Sequence, residues 1–244
     1  MNVPSDWILP EWPAPSRVRA LVTTRAGGKS HGPYASMNVA AQVGDGPDAV
    51  AHNRELLRAV LPTDPIWLHQ VHGTQVVDAA AVSDIPSADA VYTRVRHVVC
   101  AVQTADCLPV LLAARDGSVV GVAHAGWRGM AAGVIENTLD AMHLKGDAAM
   151  AYLGPAIGPD AFEVGGEVLE AFAAADPDMR DAFKAKGEGK YHADLYALAR
   201  LRLRRVGVQA VFGGGFCTYT QAERFYSYRR DKITGRMASL IWID

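Results

Sequence analysis

A single α/β domain with layered, mixed sheets is the fold class this sequence predicts, and three observations predict it. Short Val-rich apolar stretches bounded by Gly, Pro, Asp or Ser crowd the first half of the chain, the pattern of strands. Four longer stretches repeat their apolar residues at helical spacing between and after them. The two kinds do not alternate regularly, which argues against a doubly wound nucleotide fold. At 244 residues the chain suits one large domain or two small ones. No linker, repeat or low-complexity tract divides it, so one domain over 1–244 is expected.

The expected strands are 17–25, 66–71, 75–79, 90–93, 98–103, 110–114 and 119–124. VVCAV and SVVGVAHA are apolar without clean alternation, as in sheets covered on both faces. A helix over 47–61 carries Val50, Leu57, Val60 and Leu61 between Pro47 and Pro62. Another over 128–143 carries Val134, Leu139 and Met142, and two more cover 167–174 and 194–206, the last stopped by Gly207. The tail FYSYRRDKITGRMASLIWI reads as two strands joined by a turn near 234–235.

Composition excludes several classes. Half the residues are hydrophobic and 20% charged, which fits a chain with a core and excludes disorder, collagen and coiled coil. With 24 Lys and Arg against 26 Asp and Glu, no basic field exists for nucleic acid or an anionic membrane. Three cysteines are too few for a disulfide scaffold and point to a reducing compartment. The N-terminal segment lacks a basic start and an apolar run, and no window approaches a membrane span. A soluble, cytoplasmic protein is expected.

Three stretches could carry chemistry. If WLHQVHG is a strand, Trp67, His69 and Val71 share one face and Leu68, Gln70 and His72 the other. His69 and His72 then point apart and do not share an ion. QTADCLPVLLA puts Cys107 at a strand break between Asp106 and Leu108. VVGVAHAGWRGMAAGV ends a strand at His124, turns through Gly126 and Gly129, and starts a helix near Arg128. Backbone N–H groups at such a start favour an anion, and Arg128 can fork a phosphate or carboxylate. Each also has a plain reading: a hydrogen-bonded histidine, a small core cysteine, a turn with a solvated arginine.

Together, His72, Cys107 and His124 make a plausible three-ligand set for zinc. They are 35 and 17 residues apart, unlike the close pairs of a structural finger. Three protein ligands leave a position for water or substrate, and zinc lowers the pKa of such a water to about 7. The same residues admit a Cys107 thiolate activated by His124. Zinc, the thiol pair and a structural role all stay open on the residues alone. Arg25 and Lys29 in TTRAGGKS form another possible anion site. GPAIGP is turn chemistry, Arg229, Arg230 and Arg236 read as a solvated hairpin, His192 as exposed or capping, and Cys217 as buried.

TTRAGGKS, SMNVA, VGDGPDAVAHNR, QVHG, TADCLPVLL, AHAGWRGMAAG, GPAIGP with FEVGGEV, and FYSYRRDKITGR occur in this order over about 23–243. In this the chain resembles the laccase-domain family, also called multi-substrate purine nucleoside phosphorylases, polyphenol oxidases and peptidoglycan editing factors. The resemblance implies a layered α-β-β-α arrangement and zinc held by His72, Cys107 and His124. It implies phosphorolysis of adenosine, inosine and methylthioadenosine, with deamination of adenosine. Met37 stands before Asn38 where leucine is usual, and HADLY is a loose match; neither touches the ligands.

On this reading phosphate attacks the ribose C1′ while zinc and a basic residue offset its charge. Arg25 is the first candidate for that residue and Arg128 the second, with Asn38 also expected in the substrate site. Gln70 is expected to orient substrate or a zinc ligand, and Asp106 or Asp89 to shuttle the proton of deamination. The partners expected are a small nucleoside and phosphate, for a monomer or small homo-oligomer. The rival activity is an amidase on a cell-wall precursor, using the zinc or the Cys107–His124 pair. A copper oxidase ranks lower, because the 8 histidines are scattered and include no His-x-His pair. The non-enzymatic alternative is a metal-stabilised binding module.

Overall fold

Most of the Val-rich stretches pair as strands, in a computed structural model that describes residues 3–244. In chain order the elements are β1 (Val18–Val22), α1 (Pro47–Arg58), β2 (Pro65–Ile66), β3 (Val76–Asp78), β4 (Ala90–Thr93), β5 (Val99–Thr104), β6 (Leu108–Ala114) and β7 (Val120–Ala125). They continue with α2 (Trp127–Ala132), α3 (Val134–Ala141), β8 (Ala149–Leu153), β9 (Glu163–Gly165), α4 (Gly166–Ala173), β10 (Phe183–Gly187) and β11 (Lys190–Ala193). Last come α5 (Leu195–Arg205), β12 (Ala210–Gly213), α6 (Tyr228–Asp231) and β13 (Met237–Ile243). One sheet runs β1-β13-β5-β2, a second β12-β8-β6-β7-β4-β3, and a small third β10-β11-β9. Parallel pairs (β2 with β5, β3 with β4, β12 with β8) sit among antiparallel ones, so both large sheets are mixed.

Side-chain alternation stacks these sheets. On β6, Leu111 and Ala113 face β5 and β13 of the other sheet in one apolar cluster, with Val102 and Ile241. Val110, Leu112 and Ala114 point the other way, onto α3, α4 and α5 through Ile135, Phe172 and Leu198. The outer face of the four-stranded sheet packs Ala101, Leu240 and Trp242 against Leu57 of α1. Helix, sheet, sheet, helix is therefore the layering, and β6 is apolar throughout because both its faces are buried. Among the described residues no helix is long and apolar enough to cross a membrane.

Several elements differ from expectation. The helix expected over 128–143 is broken at Gly133, whose φ of 101° ends α2 and starts α3. The strand expected over 66–71 pairs only through Ile66, after which His69 makes a single bridge to Ser87. The tail does not form a hairpin: Phe225 and Tyr226 are core residues, and the Ser227 hydroxyl caps α6 by accepting the Arg230 N–H. β13 pairs instead with β1 and β5. Asp194, not His192, caps α5 by accepting the Ala197 N–H, and His192 lies on β11.

Candidate active site

Three chain breaks beside the β5, β6 and β7 strands bring the chemistry together. β5 ends at Thr104, and the chain turns through Asp106, at φ 94°, to place Cys107 just before β6. His124 is the penultimate residue of β7 and is buried. His72 lies in the loop after the Ser87 bridge, at φ 59°, a conformation uncommon outside glycine. Donor atoms of His72, Cys107 and His124 lie within 4.8 Å of one another. The Cys107 Sγ is 3.7 Å from His72 Nε2, and the two imidazoles meet edge to face with centroids 4.8 Å apart.

Asp89 holds this arrangement. Its carboxylate is fully buried and accepts the N–H groups of Val71, His72 and Gly73 at 3.1, 2.9 and 2.7 Å. It also takes His124 Nδ1 at 2.7 Å. One side chain thus fixes the unusual loop of His72 and turns His124 so that its Nε2 is left for a ligand. Gly126 supplies room: a Cβ there would lie 2.9 Å from His72 Cδ2 and 3.0 Å from the Cys107 sulfur. At Gly129 a Cβ would meet the Gly73 carbonyl at 2.7 Å. The glycines of HAGWRG therefore let the β7–α2 turn close onto the histidine loop.

The electrostatics follow from this packing. Burial alone pushes the Cys107 thiol up, but the charge and hydrogen bonds of His124 and His72 outweigh it and bring it down to about 6. Burial presses His124 down, and the Cys107 and Asp89 charges reverse this, raising it to about 9. Asp89 would be raised by burial, yet its bonds to His124 and the backbone hold it below the usual carboxylate range. These shifts favour the thiolate at Cys107 and the protonated ring at His124, with the Asp89 carboxylate behind them.

These residues line a cavity of about 550 Å³ together with Gln70, Asp106, Trp127, Arg128, Phe162, Tyr228, Arg229 and Arg236. Arg128 is exposed at the rim and stacks on Trp127, 4.3 Å from guanidinium to ring. Gln70 uses both ends of its amide on the Gln103 backbone, at 2.8 and 2.7 Å, tying the histidine loop to β5. Asp106 accepts the Thr218 hydroxyl and the Arg229 N–H, each at 2.6 Å.

Arg25 and Asn38 are not brought to the cavity. Arg25 donates to the carbonyls of Ala35 and Ala222 and stacks on Tyr226. Asn38 is fully buried, donates to Ala40 and Asp45, and accepts the N–H groups of Ala40 and Arg236. Sequence reasoning missed Arg229 and Arg236 as wall residues, although SYRRDKITGR contains both. It also gave Asp89 only a proton-transfer role. Nothing in a charge run shows which arginine turns inward.

The donor set suits a metal. One sulfur and two imidazole nitrogens converge, the charged sulfur needs a cation, and Asp89 supplies the outer carboxylate that metal-bound histidines commonly have. Bonds of about 2.0–2.3 Å to one ion would span these donors with small side-chain shifts. Among the described residues no fourth His, Cys, Asp or Glu joins the group. Three ligands leave a position open, as catalytic sites do.

A family model described as multi-copper polyphenol oxidoreductase laccase matches residues 19–244. A protein of Escherichia coli K12 named purine nucleoside phosphorylase YfiH is 53% identical, over 98% of this chain and 99% of its own length. A Pseudomonas aeruginosa protein named purine nucleoside phosphorylase is also 53% identical, over 98% of each chain. Among solved structures, a Neisseria meningitidis protein superposes with TM-score 0.95 at 51% identity, covering 98% of this chain and 100% of that one. YlmD of Geobacillus stearothermophilus superposes with TM-score 0.88 at 29% identity, covering 100% and 98%.

Proposed function

This chain belongs to the multi-copper polyphenol oxidoreductase laccase family, and from that premise we propose that it is a zinc-dependent purine nucleoside phosphorylase acting on adenosine, inosine and methylthioadenosine. The observation that carries the reading is one cavity that joins a three-donor metal group to guanidiniums without carboxylate partners. Among the described residues, Arg128, Arg229 and Arg236 form no ion pair. Two relatives of near-equal length carry the name purine nucleoside phosphorylase, which supports the choice of reaction.

In the proposed reaction a phosphate oxygen forms a bond to the ribose C1′ as the C1′–N bond to the base breaks. The base leaves with the bonding electron pair and gains a proton, giving free base and ribose 1-phosphate. The cavity guanidiniums bind and orient the phosphate and offset its charge. Trp127, Phe162 and Tyr228 line the same cavity and supply apolar surface for the base. His72, Cys107 and His124 would hold the zinc, which when bound supplies Lewis-acid character beside the reacting phosphate. Asp89 keeps His124 in the orientation this requires.

Deamination of adenosine enters the proposal as the slower reaction. Attack of water at C6 needs a group to carry protons, and both carboxylates expected to serve, Asp89 and Asp106, are engaged in hydrogen bonds. A multi-copper centre would need further ligand clusters, whereas one converging group is present among the described residues. The three free cysteines suit a reducing compartment, and we place the reaction in the cytoplasm, with a monomer or small homo-oligomer.

The test is hypoxanthine release from inosine by protein of measured metal content, with and without phosphate. Release only with phosphate, scaling with zinc, is the expected result; release that ignores phosphate would refute the reading. A second reading, a thiol amidase on a cell-wall precursor, rests on the lowered Cys107 thiol, whose sulfur lies within 4.8 Å of a His124 nitrogen. It predicts amide cleavage by metal-free protein.

A further inference from the structure

We propose that Arg236 and Arg229 form the anion subsite of this cavity and hold the attacking phosphate, with Arg128 at the rim outside it. The proposal rests on the phosphorylase reading and assigns its second substrate to two residues.

The two arginines are built differently from Arg128. Arg236 Nη1 donates to the carbonyls of Thr234 and Gly235, both at 2.9 Å. This fixes the plane of the guanidinium and leaves the Nε and Nη2 edge, the fork that matches two phosphate oxygens, without a hydrogen-bond partner among the described residues. Its backbone N–H is pinned by Asn38 Oδ1 at 2.9 Å. The preceding Gly235 is packed so closely that a Cβ would lie 2.7 Å from Tyr226 Cζ and 2.8 Å from Asn38 Cβ. Arg229 donates Nη1 to the Glu163 carbonyl at 2.7 Å and lies over the Phe162 ring, while Asp106 pins its backbone N–H. Both guanidiniums are therefore held by neutral carbonyls, which orient them without cancelling their charge.

Asn38 and Asp106 thereby become positioning residues, acting through the arginines rather than on substrate. Arg128, by contrast, is exposed and donates no hydrogen bond among the described residues. Asp106 is the one carboxylate among the lining residues, so the cavity lining has an excess of positive charge. Burial lowers Arg236, with the Cys107 and Asp106 charges opposing, and Arg236 lines the same cavity as the metal group. A compact tetrahedral dianion is the ligand class such a wall takes.

The experiment compares the zinc-loaded wild-type chain with Arg236→Gln, Arg229→Gln and, as a net-charge control, the exposed Arg96→Gln. Inorganic phosphate is titrated calorimetrically without nucleoside, and KM is then measured separately for phosphate and inosine. Loss of a charged two-point contact should weaken phosphate binding and raise its KM about 10- to 100-fold in both cavity variants, with inosine KM changed less than about threefold. Unchanged phosphate affinity in either cavity variant, an equal loss in Arg96→Gln, or an equal rise in inosine KM would overturn the proposal. If a glutamine variant does not fold, Arg236→Lys and Arg229→Lys, which keep charge but lose the fork, decide through a several-fold loss or none. Wild-type cleavage that ignores phosphate would sink the phosphorylase reading, while the calorimetric titration still decides the subsite.

Discussion

At the scale of single residues, Asp89 does the most with the least. Its two oxygens serve three backbone N–H groups and one imidazole, so loop shape and ligand orientation depend on one charge. Asp89→Asn is nearly isosteric but puts a donor where an acceptor is needed. It should cost about 10- to 100-fold in metal affinity, read by competition with a chromophoric chelator; unchanged affinity would show that Asp89 does not orient the ligand. Cys107 gives a second expectation, with the sign set by its depressed value. The metal-free thiolate should persist down to about 6, so alkylation of Cys107, followed by peptide mass, should lose half its rate near there and not near 9. The stabilisation from this shift is full above the ordinary thiol value and is lost as pH falls through about 6. That of His124 is full below the ordinary imidazole value and is lost as pH rises through about 9. Between these two values one contribution grows as the other fades, so the melting temperature of the metal-free protein should stay nearly level from about 6 to about 9.

At the scale of elements, the β7–α2 turn decides whether the three ligands meet. Gly126→Ala inserts a methyl against His72 and the Cys107 sulfur and should lower zinc occupancy, read by elemental analysis, while the far-UV circular dichroism stays wild-type. Full occupancy would show that the turn can move aside. How legible each element was follows from its burial. β5, β6 and β7 are buried on both faces, so their apolar runs stand out in the sequence; Cys107 lies between β5 and β6 and His124 at the end of β7 before Gly126, while His72 lies in the loop before Gly73 and β3. β10 and the start of β11 are exposed and run through KAKGEGK, where neither apolar content nor alternation marks a strand. Gly133 interrupts an otherwise continuous helical period because its φ is positive, a fact that periodicity does not carry. Arg25 and Arg236 look alike as cations near glycine. Only the fold shows that one is consumed by carbonyls and Tyr226 while the other keeps an open edge on the cavity.

At the scale of the whole molecule, the hydrophobic cores are built without the metal group, and this sets what metal removal does. His124 and Cys107 adjoin the core beneath the helices through Ala123, Ala125 and Leu108, but the clusters themselves are packed from apolar side chains of the strands and helices. The ligand-bearing loops are also tied without metal, through Asp89, through Gln70 to the Gln103 backbone, and through Asp106 to Thr218. A metal-stabilised binding module would unfold when stripped, because its binding energy is folding energy. Here the fold should survive. Binding at a hundredfold excess over the dissociation constant contributes about 2.7 kcal/mol, which for a chain of this size corresponds to about 5–10 °C in Tm. Treatment with a strong chelator should thus lower the melting temperature by roughly that amount, leave a cooperative transition and the far-UV spectrum intact, and abolish nucleoside cleavage until zinc is returned. Loss of secondary structure at room temperature on chelation would overturn this separation of site from core, and with it the assignment of the three-ligand group to catalysis.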